Sequence, residues 1–363
     1  MRTAGLILGL ILIATILWDT FETIILPRVV TRRLRLTSLF YGSAWVPWSF
    51  TAKQIRNARV REKALSLFGP LSLFGLLGIW ATLLILGYAL VYWGSYSPLL
   101  AAGEPVTFWI YLYLSGVTFF TLGYGDVSPV LAFGRLVAVV ETANGFGLLA
   151  IVISYLPVLY QSFSKRETNI SLLDARAGSP SSAVELLRRH RSEDFTELRS
   201  LLGGWERWSA ELLESHLSYP VLCYFRSQHD NQSWLRAITT ILDTCALVMV
   251  GIKDGPAWQS RMTFAITRHA VVDIAQVLKR KPSKRELCLD RLSESEFARI
   301  KTILAESGLE LTAVDENRLR ELREMYEPYV FSLSEYLMMP LPPWILPTHA
   351  IDNWKTSAWG RIQ

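Results

Sequence analysis

Apolar residues crowd into the first 165 positions of the chain, in stretches of different length that call for different treatment. Leu67 to Trp93 holds no charged residue in 27 positions. A helix starting near Pro70, a favoured first-turn residue, would rise ~36 Å and cross a bilayer. Leu136 to Ser164 is a second such span, with Glu141 as its only charge. Between them Thr107 to Phe119 is apolar and aromatic, but at ~20 Å too short to cross, so it predicts a re-entrant helix surrounded by protein. Thr3 to Leu26 predicts a further membrane helix: it is uncharged to Trp18, then carries Asp19 and Glu22 one turn apart and ends at Pro27. It lacks the small-residue cleavage site of a signal peptide. Leu36 to Ala52, with Trp45, Pro47 and Trp48, is uncharged yet lies between two basic clusters. That favours a membrane-skimming helix over a fourth crossing.

From residue 165 onward the periodicity becomes helical and amphipathic. It predicts helices at Ser182–Leu202, Trp205–Ser218, Gln232–Ile252, Ala257–Lys279, Glu294–Ser307 and Glu316–Met338. Breaks fall at Gly203-Gly204, Pro220, Gly255-Pro256, Pro282 and the proline-rich stretch from Pro340. Ala237–Ile252 is apolar enough to suggest another span, but at 16 residues with Asp243 inside it reads as a buried core helix. The pattern gives an all-α chain in three parts: 1–64 with a membrane helix and a basic interfacial segment, 65–164 as the main membrane domain, and 165–363 as a helical domain with its own core.

Charge sets the orientation. Residues 94–133 hold Glu104 and Asp126 and no Lys, Arg or His. By contrast Arg28, Arg32, Arg33 and Arg35 follow the first helix, Lys53 to Lys63 precede the first clear span, and Lys165 and Arg166 follow the second. The positive-inside rule then places the 94–133 loop outside and the C-terminal half in the cytoplasm. The same rule accounts for the +5 formal charge without a nucleic-acid partner. Asp19 and Glu22, at or near the membrane, are functional candidates unless they pair with the nearby arginines at the interface. The three cysteines lack metal-ligand spacing and fit reduced thiols.

Within the outer loop, Thr121-Leu122-Gly123-Tyr124-Gly125-Asp126 follows directly on the short helix. Alone it could be a turn; in this setting it resembles the selectivity filter of single-pore, two-transmembrane-type potassium channels. The resemblance covers residues 68–163. It implies that backbone carbonyls of Thr121, Leu122, Gly123, Tyr124 and Gly125 replace the hydration shell of K⁺, as in that family's carbonyl-lined filters. The glycines suit backbone angles with φ > 0. One filter strand per chain implies a homotetramer in the cell membrane, with K⁺ and lipid as partners and no cofactor. Leu122 stands where Val is commonest, and the Phe119-Phe120 pair replaces smaller residues. Tyr113, Thr118 and Asp126 fall where similar channels support the filter, Tyr113 and Asp126 as a pair; packing alone would also explain Tyr113. Gly145 matches the usual hinge of the inner helix. Gly147 and Pro157 add weak points, although small residues also serve close helix packing. Glu141 and Asn144 are costly in lipid and should face protein, Glu141 behind the filter and Asn144 near the cavity.

The C-terminal half carries no dinucleotide fingerprint, no arginine ladder and no nucleophile–base constellation, so catalysis is not expected. Two candidates for a regulatory pocket remain. Arg176 and Ser179 lie at a helix entry that could hold an anion or be an ordinary cap. Arg226, His229 and Asp230 lie in a polar loop that, with His216, His269 and Asp273, could hold a ligand, a metal or a proton. Two other readings stand beside the channel: a potassium-uptake subunit, which would need four filter repeats where this chain has one, and a cation sensor whose C-terminal half is the effector.

Overall fold

The computed structural model describes residues 1–26, 36–101, 105–191, 194–229, 231–284, 291–309 and 316–347. It divides into two compact units, Met1–Tyr160 and Gln161–Gln363. The chain is all-α apart from one two-stranded ribbon among the described residues.

The first unit holds α1 (Arg2–Thr20), α2 (Leu36–Gln54), α3 (Ala58–Gly94), β1 (Leu99–Ala101), α4 (Phe108–Phe119), β2 (Val127–Pro129) and the first part of α5 (Ala132–Ala177). A π-helical turn at Phe21–Ile25 extends α1. The helices α1 and α3 pack antiparallel through small residues. A side chain at Gly94 would meet the Arg2 carbonyl oxygen at 2.7 Å, and one at Gly9 the Gly87 carbonyl oxygen at 2.6 Å. Such close backbone approach is how helices associate where water supplies no hydrophobic drive. The helix α2 lies on the first half of α3, with Trp45 edge-on to Phe68 at 4.8 Å and Trp48 Nε1 donating to Ala64 O at 3.1 Å. Its 19 residues do not reach the hydropathy of a span, whereas extended α1, α3 and α5 do.

The helix α3 begins at Ala58 instead of near Pro70. The Asn57 side chain caps it, accepting from Arg59 N at 3.0 Å and Val60 N at 3.3 Å, and Pro70 is carried inside the helix. Likewise α5 runs 13 residues beyond Ser164, to Ala177, unbroken through Gly145, Gly147 and Pro157. Its extension is amphipathic, burying Ile170, Leu173 and Ala177.

The second unit contains that extension with α6 (Ala183–Arg189), α7 (Thr196–Ser218), a 3₁₀ turn at Pro220–Tyr224, α8 (Trp234–Gly251), α9 (Ala257–Val277), α10 (Glu294–Glu306), α11 (Glu316–Glu324) and α12 (Glu327–Leu337). The fourth helix long and apolar enough to cross a membrane, α8, has 89% of its residues buried, so it is a core helix of this unit. Two predicted boundaries are corrected. Gly203-Gly204 does not break a helix: buried Leu202, Trp205 and Trp208 anchor α7 on both sides, outweighing the ~1 kcal/mol each glycine costs. The break falls earlier, before Phe195, which is left-handed (φ 53°) with its ring buried. Predicted Glu316–Met338 is two helices, because Tyr326 leaves helical geometry to donate to Asp243 and Pro328 restarts the chain as α12. Arg291 donates to Asp243 (2.8 Å) and Glu327 (3.4 Å), and Arg323 to Glu327 (3.0 Å). That buried ionic cluster joins α8, α11 and α12.

Candidate functional site

The Thr121–Gly125 loop hangs from the C-terminal end of α4, and hydrogen bonds define how it leaves the helix. Leu122 N donates to Val117 O at 2.9 Å and Thr121 N to Thr118 O at 3.0 Å. This is the pair of bonds that closes a helix when the next residue turns left-handed, a position usually held by glycine. Here Thr121 occupies it, at φ 58°. Positive φ then recurs at Gly123 (60°) and Gly125 (78°) but not at Leu122 or Tyr124. Left-handed and right-handed φ therefore alternate along Thr121–Gly125. Leu122 and Tyr124 are exposed in the single chain.

The loop is fixed at both ends. Beyond it β2 pairs antiparallel with β1, Leu99 opposite Pro129 and Ala101 opposite Val127. Tyr113 on α4 donates to Asp126 Oδ2 at 2.8 Å, joining the pair that the resemblance named. Tyr111, two residues earlier, donates to Ser97 O at 2.9 Å. Thr118 takes part through its carbonyl, which receives Thr121 N and, at 3.5 Å, Thr142 Oγ1 of α5.

One turn of α5 grips the last turn of α4. Glu141 is fully buried and accepts from Tyr92 OH of α3 at 3.0 Å; its other oxygen contacts Ser115 Oγ of α4. Asn144 donates to Tyr88 OH of α3. Gly145 lies directly against Phe119, whose carbonyl oxygen a side chain there would strike, while Gly147 has open space around it in the single chain. The small-residue packing role therefore applies at Gly145 and not at Gly147. Tyr88, Tyr92, Ser115 and Thr142 were not picked out by sequence reasoning. The available signal was two tyrosines one turn apart on an apolar helix, matching Glu141 and Asn144 three residues apart on another.

Asp19 is buried and accepts from Thr37 Oγ1 of α2 at 2.7 Å and Trp80 Nε1 of α3 at 3.0 Å. Glu22 accepts from Trp18 Nε1 at 2.7 Å. Arg28, Arg32, Arg33 and Arg35, expected beside them, lie outside the described residues, as does Glu104.

The second-half candidates do not converge on one pocket. Arg176 contacts His190 at 3.5 Å, Ser179 is buried, and Ser182 caps α6, accepting from Glu185 N at 3.4 Å, so the helix entry is an ordinary cap. His216 is buried beside Arg166, whose guanidinium also donates to the carbonyls of Leu222 and Phe225 at 2.9 Å. Burial, then the adjacent Arg166 charge, holds His216 well below the ordinary imidazole range, so it is neutral. Arg226 donates to the carbonyls of Leu337 and Met338. His229 is exposed, His269 pairs with Asp273 at 3.4 Å on the surface, and Asp230 lies outside the described residues. Among the described residues no three His, Cys, Asp or Glu side chains cluster as metal ligands. Burial raises the Cys223 thiol to about 12, which makes it inert.

Residues 74–161 match a family model described as an ion channel. The chain is 28% identical over 195 residues to an uncharacterized membrane protein, YdjJ, of Bacillus subtilis (strain 168), covering 53% of this chain and 56% of that one. It is 35% identical over 85 residues to protein LctB of Geobacillus stearothermophilus, covering 21% of this chain and 63% of that one. The chain thus spans between half and two thirds of the length of these relatives. No solved structure matches it.

Proposed function

With residues 74–161 an ion-channel domain in a multi-pass membrane protein, we propose that this chain is one subunit of a homotetrameric, potassium-selective channel. The observation that carries the reading is the alternation of positive φ at Thr121, Gly123 and Gly125, in a loop suspended from a helix too short to cross the bilayer. Carbonyls in a row can replace water around an ion, but one strand covers only one side of it. Four strands around an axis complete the coordination, and ions pass by mutual repulsion between adjacent sites. The C-terminal end of α4 carries the negative pole of its dipole beneath the loop, favouring a cation there. Asp126 adds negative charge at the outer mouth.

In this reading α5 lines the inner pathway and gates it, the second unit is cytoplasmic and assembles or regulates the pore, and the protein performs no catalysis. It is distinguished from a potassium-uptake subunit by having one filter strand per chain. The test is ion flux from liposomes containing the purified full chain, with matched potassium and sodium gradients. Potassium flux well above sodium flux, abolished by Gly123→Val because a second β-branched side chain at φ near +60° adds strain that would shift the loop, is the expected result. Equal flux of the two ions would overturn selectivity, and no flux would overturn the channel.

A further inference from the structure

The contacts around Glu141 contain a proton-counting problem. Ser115 Oγ is within hydrogen-bond distance of two acceptors: the Ile85 carbonyl of α3, at 2.7 Å, and the Glu141 carboxyl. Tyr92 OH reaches the other Glu141 oxygen at 3.0 Å. That makes three hydrogen bonds between Ile85 O, Ser115, Glu141 and Tyr92. A serine hydroxyl and a tyrosine hydroxyl carry one hydrogen each, two in all. The third hydrogen has to come from Glu141. The surroundings agree: Glu141, Ser115 and Tyr92 are each fully buried, and no Lys, Arg or His among the described residues pairs with Glu141. An uncompensated carboxylate there would be strongly disfavoured by the loss of its hydration.

We propose that Glu141 is kept as the neutral carboxylic acid and is a positioning residue for the Thr121–Gly125 loop. Its O–H donates to Ser115 Oγ, and Ser115 in turn donates to Ile85 O. Tyr92 donates to the remaining Glu141 oxygen. The chain of bonds ties α4 at one height to both α3 and α5, one and a half turns before the loop begins. Thr142, reaching the Thr118 carbonyl, and Gly145, seated on Phe119, hold the same stretch from the same turn of α5. Any bend of α5 at this turn is therefore delivered to the end of α4, and through it to the loop. The inference deepens the channel reading and rests on it for its functional readout.

Glu141→Gln decides between an acid and an anion. A glutamine supplies an N–H to Ser115 and a carbonyl to Tyr92, reproducing the neutral acid and not the carboxylate. In liposomes of the full chain, Glu141→Gln is expected to keep the potassium-to-sodium flux ratio within about twofold of wild type, as all three bonds survive. Glu141→Val should lower the ratio ~10-fold or more, since a filter must be held to ~0.5 Å, and Tyr92→Phe should fall between. A Glu141→Gln ratio as poor as that of Glu141→Val would overturn the neutral acid, and an unchanged Glu141→Val ratio would overturn the positioning role. A second readout does not depend on conduction or on the valine variant assembling. The wild-type minus Glu141→Gln infrared difference spectrum at neutral pH should contain a carboxylic-acid carbonyl band; carboxylate bands in its place overturn the proposal. If wild type passes no potassium-selective flux, the functional reading fails and the infrared result still settles the proton.

Discussion

Replacing Gly145 by alanine adds one methyl group where the structure has no room for it. A Cβ there would lie 3.0 Å from the Phe119 carbonyl carbon and 3.4 Å from its Cα, with the carbonyl oxygen nearer still. These are backbone atoms at the end of α4, so no side chain can swing aside. Ordinary carbon contact begins at ~3.5 Å, so the carbonyl carbon alone demands ~0.5 Å of separation between α5 and α4. Overpacking of this kind costs ~1–3 kcal/mol. The displacement falls two residues before Thr121, in a site whose geometry tolerates about that much error. Gly147→Ala is the control. Nothing lies near it in the single chain, and alanine there gains up to ~1 kcal/mol of helix propensity. Both substitutions stiffen α5 equally, so they separate packing from hinge action. Gly145→Ala is expected to lower the thermal midpoint of the purified protein and to reduce potassium-selective liposome flux ~10-fold or more, by misplacing the loop. Gly147→Ala should leave both near wild type. Equal losses in the two variants would mean that flexibility is what matters, and a wild-type Gly145→Ala would refute the close-packing argument outright.

Two further outcomes follow from buried groups away from the loop. Asp19→Leu leaves Trp80 Nε1 and Thr37 Oγ1 without their shared acceptor, at ~1–3 kcal/mol each, whereas Asp19→Asn keeps an acceptor oxygen; thermal unfolding in detergent should rank wild type, Asn, then Leu, and an Asp19→Leu protein as stable as wild type contradicts the bonding. His216 is neutral in the fold and its imidazole is held below the unfolded value of 6.5, so acid favours the unfolded chain, which binds the extra proton. Stability should be flat above pH 7 and fall by up to ~1.4 kcal/mol per pH unit below 6.5 from this residue, a slope that His216→Gln should reduce in circular-dichroism melts between pH 8 and 5. An unchanged acid slope would count against the burial argument.

Much of the membrane unit was legible because lipid leaves the sequence few options. The two longest apolar runs, Leu67–Trp93 and Leu136–Ser164, were long enough for spans, and Thr107–Phe119 was too short for one. The filter-like hexapeptide and its Tyr113–Asp126 tie were readable only through the resemblance to a known family, and the tie is present as a hydrogen bond. Boundaries failed where a local signal met a tertiary one. Pro70 looked like a helix start, yet Asn57 offers a capping side chain thirteen residues before Pro70. Gly203-Gly204 looked like a break, but Trp205 and Trp208 bury their rings and keep α7 whole. The separation of the second-half histidines was invisible for a different reason. Residue spacing along a chain of amphipathic helices says which face each side chain takes, and not which helix that face meets. His216 therefore found Arg166, fifty positions earlier, instead of the polar loop after residue 224.

The departures from local rules gather in one place. A β-branched residue, Thr121, holds the left-handed closing position of α4, where glycine would spare ~1–2 kcal/mol. A carboxyl, Glu141, is buried with no cation paired to it among the described residues, and a glycine, Gly145, occupies mid-helix where alanine would be better by propensity alone. Each costs stability and each touches the same dozen residues of α4 and its loop. Strain of this kind persists only where the surroundings over-determine it, and it marks sites whose geometry matters more than their stability. For Thr121 the compensation is chemical. In the channel proposed above it would supply a hydroxyl at the inner end of the filter strand, one more oxygen than glycine could offer a partly dehydrated cation. For Glu141 and Gly145 it is mechanical, since together they make the end of α4 answer to α5. A channel that needed only a hole would have no use for either.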